Sequence, residues 1–364
     1  MKVILIRSRS IDSAVFKLAE TLSKNGHSVT LLVWDRQNNL KEENKKYNVH
    51  KFSLKASYDK WTALFYLPIW WIYEFYFLLT HNADVVHTCD LDTLWPAVIV
   101  KFIKKFKLFY IIYDFYADNL TKLPEFLRKT IAFLEKGGIK FSDTLFLVDE
   151  SRYEQVKGAK IKKLVYIYNS PQEYFPIKKK ANLNCELVIF YAGLLDKSRG
   201  LKYIIAAVKE LKFTKLIIAG NGNYKNVIEK ESTSNQNINY LGWLNHDDVL
   251  EMSFQADVLF AFYDPAIPNN KYASPNKLFE SMMCGKPIII NSETSASKIV
   301  QNTGCGITVN YGDTESIKNA LIKLQNPDVR EKLGKNGRKA YETKYSWKIM
   351  EKRLIKIYGS YEVT

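Results

Sequence analysis

The class of fold is indicated by residues 1–34, which read MKVILIRSRSIDSAVFKLAETLSKNGHSVTLLVW. Residues 3–6 form a short apolar run that is typical of a buried strand. Residues 12–24 carry apolar side chains at helical spacing, and Gly26 follows where a helix can end. Residues 28–33 are a second apolar run. A strand, a helix and a further strand in this order predict two parallel strands joined by a crossover helix.

The same alternation continues along the chain, and short apolar runs are separated by helical patterns for most of its length. Such alternation predicts an α/β fold whose parallel sheets are covered on both faces. Further strands are predicted at residues 48–52, 84–87, 108–113, 144–148, 164–167, 187–191, 215–219, 238–241, 258–262, 287–290 and 306–309.

The alternation pauses near residue 170 and then restarts. Asn169, Ser170 and Pro171 favour a turn, and the basic stretch 177–180 and the polar stretch 181–184 follow. We therefore predict two doubly wound domains at residues 1–172 and 173–345. We expect a last helix, at residues 346–364, to pack back on the first domain. In such sheets ligands bind at the carboxyl ends of the strands, so the expected site is a cleft between the domains.

Composition narrows the classes of partner. The 364 residues carry a net charge of +15, which attracts anions such as nucleic acid, anionic lipid or phosphorylated small molecules. No RNA-binding signature or zinc-finger spacing occurs, so nucleic acid is not expected as a partner. The four cysteines form no CxxC pair, and the first apolar run is too short for a signal peptide. These features predict a reduced, cytoplasmic protein.

Residues 272–291, YASPNKLFESMMCGKPIIIN, predict a helix that begins with an anion-binding end. Ser274 is expected as its N-cap and Pro275 as its first residue, which leaves the first-turn amides unpaired. Lys277 is mildly unfavourable in this turn unless an anion such as a diphosphate is bound. Glu280, one turn further on, can accept two hydrogen bonds from a vicinal diol such as ribose. The alternative is a well-capped surface helix with a solvated lysine and glutamate.

A second segment, residues 187–201, has the pattern of a strand, a glycine turn and a basic loop that enters a helix. Gly193 allows a tight turn or a close approach to a ligand, and Arg199 can hold phosphate oxygens. Taken alone, it is equally compatible with an exposed loop. The following IIAGNGNY, residues 217–224, is more often a tight strand-to-helix turn than a nucleotide loop.

The order of these motifs over residues 187–310 resembles glycosyltransferase family 4 of the GT-B fold. The resemblance implies two Rossmann-like domains that face each other across a cleft. It also implies a nucleotide-sugar donor on the C-terminal domain, an acceptor on the N-terminal domain, retention of anomeric configuration and no bound metal. No metal ligands and no cofactor beyond the donor are therefore predicted.

Particular residues match the family's donor site. Glu280 matches a glutamate that holds the ribose hydroxyls, and Arg199 matches a basic residue that contacts the diphosphate. Asn276 and Lys277 match first-turn positions whose amides meet the diphosphate or the base. Tyr272 stands where the family has the first of two glutamates, so the usual contact to the transferred sugar is missing.

The acceptor side is predicted from strand ends in the first domain. His87 ends a strand and is expected to face the cleft, although a strand-end histidine is more often structural. Asp114 falls in YIIYDFYADNL, where family members often carry His or Asp near the acceptor, and it is the second candidate.

Residues 61–79, WTALFYLPIWWIYEFYFLL, suggest contact with a membrane surface, because nine of these nineteen residues are aromatic. Pro68 is expected to break the helix and Glu74 would be costly at the bilayer centre, so a transmembrane span is not expected. The basic residues 101–107, KFIKKFK, could meet anionic headgroups. The alternative is a helix buried against the sheet.

The sequence as a whole predicts a glycosyltransferase that uses a UDP- or GDP-type sugar in the synthesis of cell-surface polysaccharide or glycoconjugate. Its acceptor is a glycan or lipid-linked molecule, and its expected location is the inner face of the cell membrane. A sugar-nucleotide epimerase and a non-catalytic nucleotide-sugar-binding subunit are the alternatives. A dinucleotide-dependent oxidoreductase is disfavoured, since no GxGxxG motif follows the first strand.

Overall fold

The computed structural model describes residues 1–10, 12–38, 40, 45–56, 62–176 and 187–361, and gives the backbone alone for residues 62–64. The predicted linker stretches 177–180 and 181–184 lie outside the described residues, as does Cys185.

The chain forms two compact units. The first contains Met1–Ile167 together with Glu351–Thr364, and the second contains Tyr168–Met350. The chain thus enters the second unit after Ile167 and returns to the first after Met350, whereas the boundaries expected from sequence lay after residues 172 and 345.

The first unit is built on a seven-stranded parallel sheet in the order β3-β2-β1-β4-β5-β6-β7. Its strands are β1 (Lys2–Arg7), β2 (Ser28–Trp34), β3 (Asn48–Phe52), β4 (Val85–Cys89), β5 (Lys107–Ile112), β6 (Thr144–Leu147) and β7 (Leu164–Tyr166). Its helices are α1 (Ser13–Lys24), α2 (Thr62–Thr80), α3 (Leu94–Lys101), α4 (Tyr116–Asn119), α5 (Glu125–Ile139) and α6 (Tyr153–Val156). The strand order reverses between β1 and β4, which is where sheets of this kind bind ligands.

One side of this sheet is covered by α2, α3 and α5. Trp70 and Phe77 of α2 are buried there, and the Trp70 ring stacks on Trp34 of β2 with ring centroids 5.8 Å apart. The expectation that Pro68 breaks the helix is wrong, because α2 continues through it. Proline removes one backbone hydrogen bond, and the burial of the following residues against the sheet holds the helix together. Among the described residues, no helix is long and apolar enough to cross a membrane.

The second unit is built on a six-stranded parallel sheet in the order β10-β9-β8-β11-β12-β13. Its strands are β8 (Leu187–Leu194), β9 (Thr214–Asn221), β10 (Ile238–Tyr240), β11 (Val258–Ala261), β12 (Ile288–Asn291) and β13 (Gly306–Val309). Its helices are α7 (Leu201–Lys209), α8 (Lys225–Ser234), α9 (His246–Gln255), α10 (Pro268–Lys271), α11 (Asn276–Cys284), α12 (Ala296–Thr303), α13 (Thr314–Leu324) and α14 (Pro327–Ala340). A π-helical turn, Tyr341–Tyr345, precedes the last helix, α15 (Trp347–Gly359).

The two sheets confirm the predicted α/β class with two doubly wound parallel domains. In each unit the central strands are buried, the edge strands are partly buried, and apolar side chains on both faces of the sheet form the core.

Candidate functional site

The carboxyl ends of β8 and β11 and the start of α11 enclose a pocket in the second unit. Its lining residues are Tyr191, Leu194, Arg199, Ala261, Phe262, Tyr263 and Lys277. Arg199 and Lys277, which the sequence places 78 positions apart, therefore reach one pocket, and Gly193 lies beside them.

Lys277 is held in this pocket by an aromatic ring. Its Nζ lies 4.5 Å from the centroid of the Tyr191 ring, and the Tyr191 hydroxyl donates to the Leu194 carbonyl at 2.9 Å. Within the described part of the chain, Lys277 forms no ion pair with a carboxylate. Burial lowers the pKa of Lys277 to about 8. The ammonium group is thus partly desolvated and available to an anion.

Arg199 is likewise held against a tyrosine ring. Its guanidinium carbon lies 4.3 Å from the centroid of the Tyr263 ring, and its Nη1 is buried without a hydrogen-bond partner. The short turn before it is fixed because the Asp196 side chain accepts from the Ser198 amide at 2.9 Å. Aromatic rings hold both cations, so their N–H groups remain available for a ligand.

The N-terminus of α11 differs by one residue from the sequence-based expectation. The helix begins at Asn276, and Pro275 is the N-cap residue in an extended conformation with no side-chain cap. Ser274 is therefore not the cap, and its hydroxyl oxygen is buried without a partner. The reason is that Pro275 has φ −70° and ψ 130°, which lies outside the helical region, so the first helical residue is the next one. Without a capping side chain, the first-turn amides at Asn276 and Lys277 are unpaired donors.

Glu280 lies on α11 four positions after Asn276, which places both residues on one side of the helix. Its side chain is 9% exposed. No residue of the described ranges donates a hydrogen bond to its carboxylate. A buried carboxylate with open acceptor positions suits a ligand that brings hydroxyl donors.

The glycines at the strand ends have two different roles. A Cβ on Gly220 would lie 1.8 Å from the Gly193 carbonyl oxygen, and one on Gly222 would lie 2.3 Å from that of Leu195. These two glycines therefore permit close backbone packing. A Cβ on Gly193 would instead lie 2.7 Å from Lys277 Nζ, so Gly193 leaves room for the cation.

The structure corrects the prediction for His87. The side chain lies inside the first unit at 0% exposure, where it stacks on Phe146 with ring centroids 5.0 Å apart. Its Nδ1 lies 2.9 Å from the Tyr358 hydroxyl, and burial lowers its pKa to about 3. On β4, His87 faces the side of the sheet that Tyr358 covers, so it is a core residue.

Asp114 lies at the carboxyl end of the first sheet, just after β5. Its side chain is 34% exposed, and its nearer carboxylate oxygen lies 3.6 Å from Arg152 Nη2. The Asp114 amide donates to Asp90 Oδ1 at 3.1 Å. An ion-paired but accessible carboxylate at a strand end is compatible with its predicted place near an acceptor.

Sequence reasoning missed a buried polar cluster beside Asp114. Arg7, at the end of β1, pairs with Asp90 and also with Asp12, whose Oδ2 lies 2.8 Å from Arg7 Nε. The Ser8 hydroxyl donates to Asp92. The cluster could have been predicted from the strand order. The strands β1 and β4 are neighbours where that order reverses, and polar residues directly follow both strands.

A metal site is not evident in the part of the chain that the structure describes, where no group of three or more His, Cys, Asp or Glu side chains could hold an ion.

Comparison with known proteins extends this description. The family model for glycosyl transferases group 1 matches residues 171–340. The chain is 30% identical over 151 residues to a GDP-mannose-dependent monoacylated alpha-(1-6)-phosphatidylinositol monomannoside mannosyltransferase of Corynebacterium glutamicum, covering 40% of this chain and 39% of that protein. It is 27% identical over 188 residues to the capsular polysaccharide biosynthesis glycosyltransferase CapM of Staphylococcus aureus, covering 49% and 47%. These matches span less than half the length of either relative.

Solved structures are similar over nearly the whole chain. Sucrose-phosphate synthase from Thermosynechococcus elongatus gives a TM-score of 0.81 at 17% identity, with 99% of this chain and 98% of that chain covered. HepE from Anabaena, in complex with UDP and glucose, gives 0.76 at 13% identity, with 99% and 100% covered. Identities this low show the fold alone. Residues 171–340 thus match the family model of glycosyl transferases group 1, and the two Rossmann-like domains of the chain have the GT-B fold.

Proposed function

We propose that this protein is a glycosyltransferase that transfers a sugar from a nucleoside diphosphate sugar to a glycan or lipid-linked acceptor. The observation that carries the proposal is the pocket of the second unit. There Arg199 and Lys277 lie against tyrosine rings and form no ion pair with a carboxylate of the described residues, next to the uncapped start of α11. Two cations and a helix N-terminus together suit a diphosphate.

The diphosphate is neutralised by the protein in this proposal. Arg199 and Lys277 each supply a positive charge, and the amides of Asn276 and Lys277 supply the positive end of the helix dipole. As the leaving diphosphate gains negative charge in the transition state, these donors stabilise it. Transfer is therefore expected to persist in the presence of a chelator such as EDTA. Activity that needed added magnesium or manganese would contradict this part of the proposal.

The nucleoside is assigned to the buried side of the same helix. Glu280 accepts hydrogen bonds from the ribose hydroxyls, because its carboxylate is buried without a donor in the described structure. A UDP- or GDP-type donor is proposed. HepE was solved with UDP, and the mannosyltransferase from Corynebacterium is named as GDP-mannose-dependent.

The acceptor is assigned to the carboxyl end of the first sheet. Asp114 lies there with part of its carboxylate exposed and an arginine at 3.6 Å. We propose that it orients the acceptor hydroxyl and that the anomeric configuration is retained. The names of the relatives favour a role in polysaccharide or glycoconjugate synthesis. We propose the inner face of the cell membrane as its location.

The test is donor binding by purified variants. Thermal shift with UDP, GDP and their sugars identifies the donor, because a bound ligand stabilises the folded state by mass action. Arg199→Ala and Glu280→Ala each remove hydrogen bonds of about 1.5–3 kcal/mol to a charged group, so donor affinity is expected to fall about tenfold to a hundredfold.

A matched control is Lys202→Ala on α7. Lys202 Nζ also lies 4.5 Å from a tyrosine ring, that of Tyr203, but it does not line the pocket. The control should bind donor as the wild type does. Folded Arg199 and Glu280 variants with wild-type affinity would refute the site. Donor binding without release of nucleoside diphosphate would identify the non-catalytic subunit, and an isomerised sugar nucleotide would identify the epimerase.

A further inference from the structure

Helices α2, α3 and α5 of the first unit expose an unusual number of large apolar side chains. The exposed residues are Phe65, Ile69, Ile72 and Tyr76 on α2, Ile99 on α3, Phe102 and Ile103 directly after it, and Phe126, Leu127, Phe133 and Leu134 on α5. We refer to these residues as the α2–α3–α5 face. Contiguous apolar surface of this kind marks a site of interaction with another molecule or a membrane.

The three helices cover the same side of the sheet and pack against one another. Lys104, after α3, donates from Nζ to the carbonyls of Leu78 and His81 at the end of α2, at 3.1 and 2.8 Å. On the other flank, Gly138 of α5 packs so closely on Leu94 of α3 that a Cβ would lie 2.5 Å from the leucine. The exposed apolar residues therefore belong to one continuous layer.

The apolar residues of α2 form two opposite stripes. Trp70 and Phe77 face the sheet and are buried. The outward stripe, Phe65, Ile69, Ile72 and Tyr76, repeats every three or four residues, as one side of a helix requires. The inward stripe is therefore packed in the core of the first unit. The outward stripe has no partner among the described residues.

Helix α5 also exposes large apolar side chains, and in addition it buries a charged residue type. Phe126 and Phe133 are 67% and 75% exposed and lie two turns apart on its outer side. Its buried side carries Glu135, which bonds with Tyr110. A helix stabilised only by its own unit would place these phenylalanines inward and the glutamate outward.

The charged side chains near this face are mostly positive, although Lys101 pairs with Asp143 and Lys129 with Glu125. The exposed or half-buried basic residues are Lys101, Lys104, Lys105, Lys122, Arg128, Lys129, Lys136 and Lys140. The acidic residues of α2 and α5 are Glu74, Glu125 and Glu135, and only Glu125 is exposed. Long basic side chains can lie along apolar surface and reach phosphate groups at its edge.

We propose that the α2–α3–α5 face docks on an anionic lipid bilayer, with the phenylalanines and isoleucines inserted at the level of the headgroups and the lysines on lipid phosphates. The combination of outward aromatic residues and interleaved cations is that of an interfacial helix. A protein partner or a second copy of this chain would not require this excess of cations. The inference deepens the proposed function, because a lipid-linked acceptor is presented at such a surface, but the docking itself does not depend on sugar transfer.

Flotation with vesicles tests the proposal on the full chain. The wild type is expected to float with vesicles of phosphatidylcholine and phosphatidylglycerol, to float less at high salt, and to remain unbound with phosphatidylcholine alone. Phe126→Ser combined with Phe133→Ser should lower partition by about tenfold or more, since each buried phenylalanine contributes strongly to transfer. Lys122→Gln combined with Lys129→Gln should lower it by a smaller factor and weaken the salt dependence.

A control changes one exposed apolar residue and one exposed lysine of the second unit, with Ile322→Ser on α13 and Lys332→Gln on α14. The control should float like the wild type. Wild-type protein that stays unbound with anionic vesicles at low salt would overturn the proposal. So would a stable dimer that the phenylalanine variant dissolves, because a second copy would then cover the face. Donor binding measured without vesicles shows whether the variants are folded and keeps this outcome separate from failure of the proposed function.

Discussion

Among the described residues, tyrosine rings and not carboxylates hold the two cations of the proposed donor pocket. Lys277 and Arg199 lie 4.5 and 4.3 Å from the centroids of the Tyr191 and Tyr263 rings. A cation–π contact of about 0.5–2 kcal/mol orients a cation without satisfying its N–H groups. A carboxylate would satisfy those groups and would compete with a phosphate for the same donors. The two tyrosine rings therefore orient the cations and leave their N–H groups available to an anion.

The pKa of Lys277 leads to a prediction for donor binding. Burial lowers the pKa of the free amine to about 8, so Lys277 loses its charge as the pH rises through that value. A bound diphosphate favours the charged form, and affinity should therefore fall above about pH 8, by up to tenfold per pH unit. Calorimetric titration with the nucleoside diphosphate across this range measures the effect.

The variant Lys277→Gln, which cannot titrate, tests this pH dependence. It should bind the nucleoside diphosphate more weakly than the wild type at pH 7, and its affinity should be flat across the range in which the wild type declines. A wild-type affinity that does not change above pH 8 would show that Lys277 does not contact the diphosphate.

At the scale of elements, Glu135 joins α5 to the sheet and to the segment that carries Asp114. Its Oε1 accepts from the Tyr110 hydroxyl of β5 at 2.8 Å, and its Oε2 accepts from the Tyr116 amide at the start of α4 at 3.2 Å. Burial raises the pKa of Glu135 from 4.5 to about 8. The carboxyl group is thus neutral in the folded protein at neutral pH.

This pKa predicts a pH dependence of stability. Below about pH 4.5, Glu135 is protonated in both the folded and the unfolded state, and its contribution is fully present. From about pH 4.5 to about pH 8, only the unfolded state ionises, so the free energy of unfolding should fall by up to about 1.4 kcal/mol per pH unit. Above about pH 8 the loss is complete.

Glu135→Gln keeps an acceptor for Tyr110 and cannot ionise. Urea denaturation at several pH values should give a shallower decline for Glu135→Gln than for the wild type between pH 5 and 8. Parallel profiles for the two proteins would contradict the raised pKa. The difference between the profiles isolates Glu135 from other buried carboxyl groups such as Glu74.

At the scale of the whole molecule, the chain completes its first unit with its last residues. Glu351–Thr364 belongs to the same unit as Met1–Ile167. Tyr358 of α15 is fully buried there against His87 and Phe109 of the sheet, and Phe146 stacks on His87. The aromatic layer on this side of the sheet is therefore closed by a residue 271 positions from His87.

Truncation of the Tyr358 side chain should destabilise the first unit. Tyr358→Ala leaves a cavity and an unpaired His87 nitrogen, and we expect a loss of about 3–5 kcal/mol, as for other large buried aromatic residues. Tyr358→Phe keeps the packing but also leaves the His87 nitrogen unpaired, and it should cost about 1–3 kcal/mol. Chemical unfolding of both variants measures the difference. Similar stability of the alanine variant and the wild type would show that α15 is not part of this core.

The sequence by itself determined the strands, the class of fold and the two cations of the proposed donor pocket. Strands of parallel sheets are continuous apolar runs, so local pattern identifies them. Arg199 and Lys277 could be placed together because each follows a strand directly or opens a helix, and parallel strands bring such positions to one edge of the sheet. The roles of Glu280 and Asp114 stay predictions that the proposed experiments address.

Only the tertiary structure decided which way side chains face. His87 was misjudged because a strand end does not reveal what covers it, and Tyr358 is distant in sequence. The polar cluster of Arg7, Asp90 and Asp92 depends on the pairing of β1 with β4, which local pattern does not contain. For α2, the aromatic run fitted both a core helix and a surface helix. In the structure one aromatic stripe of α2 is buried against the sheet and the other is exposed, because a helix can bury only the side that meets the sheet.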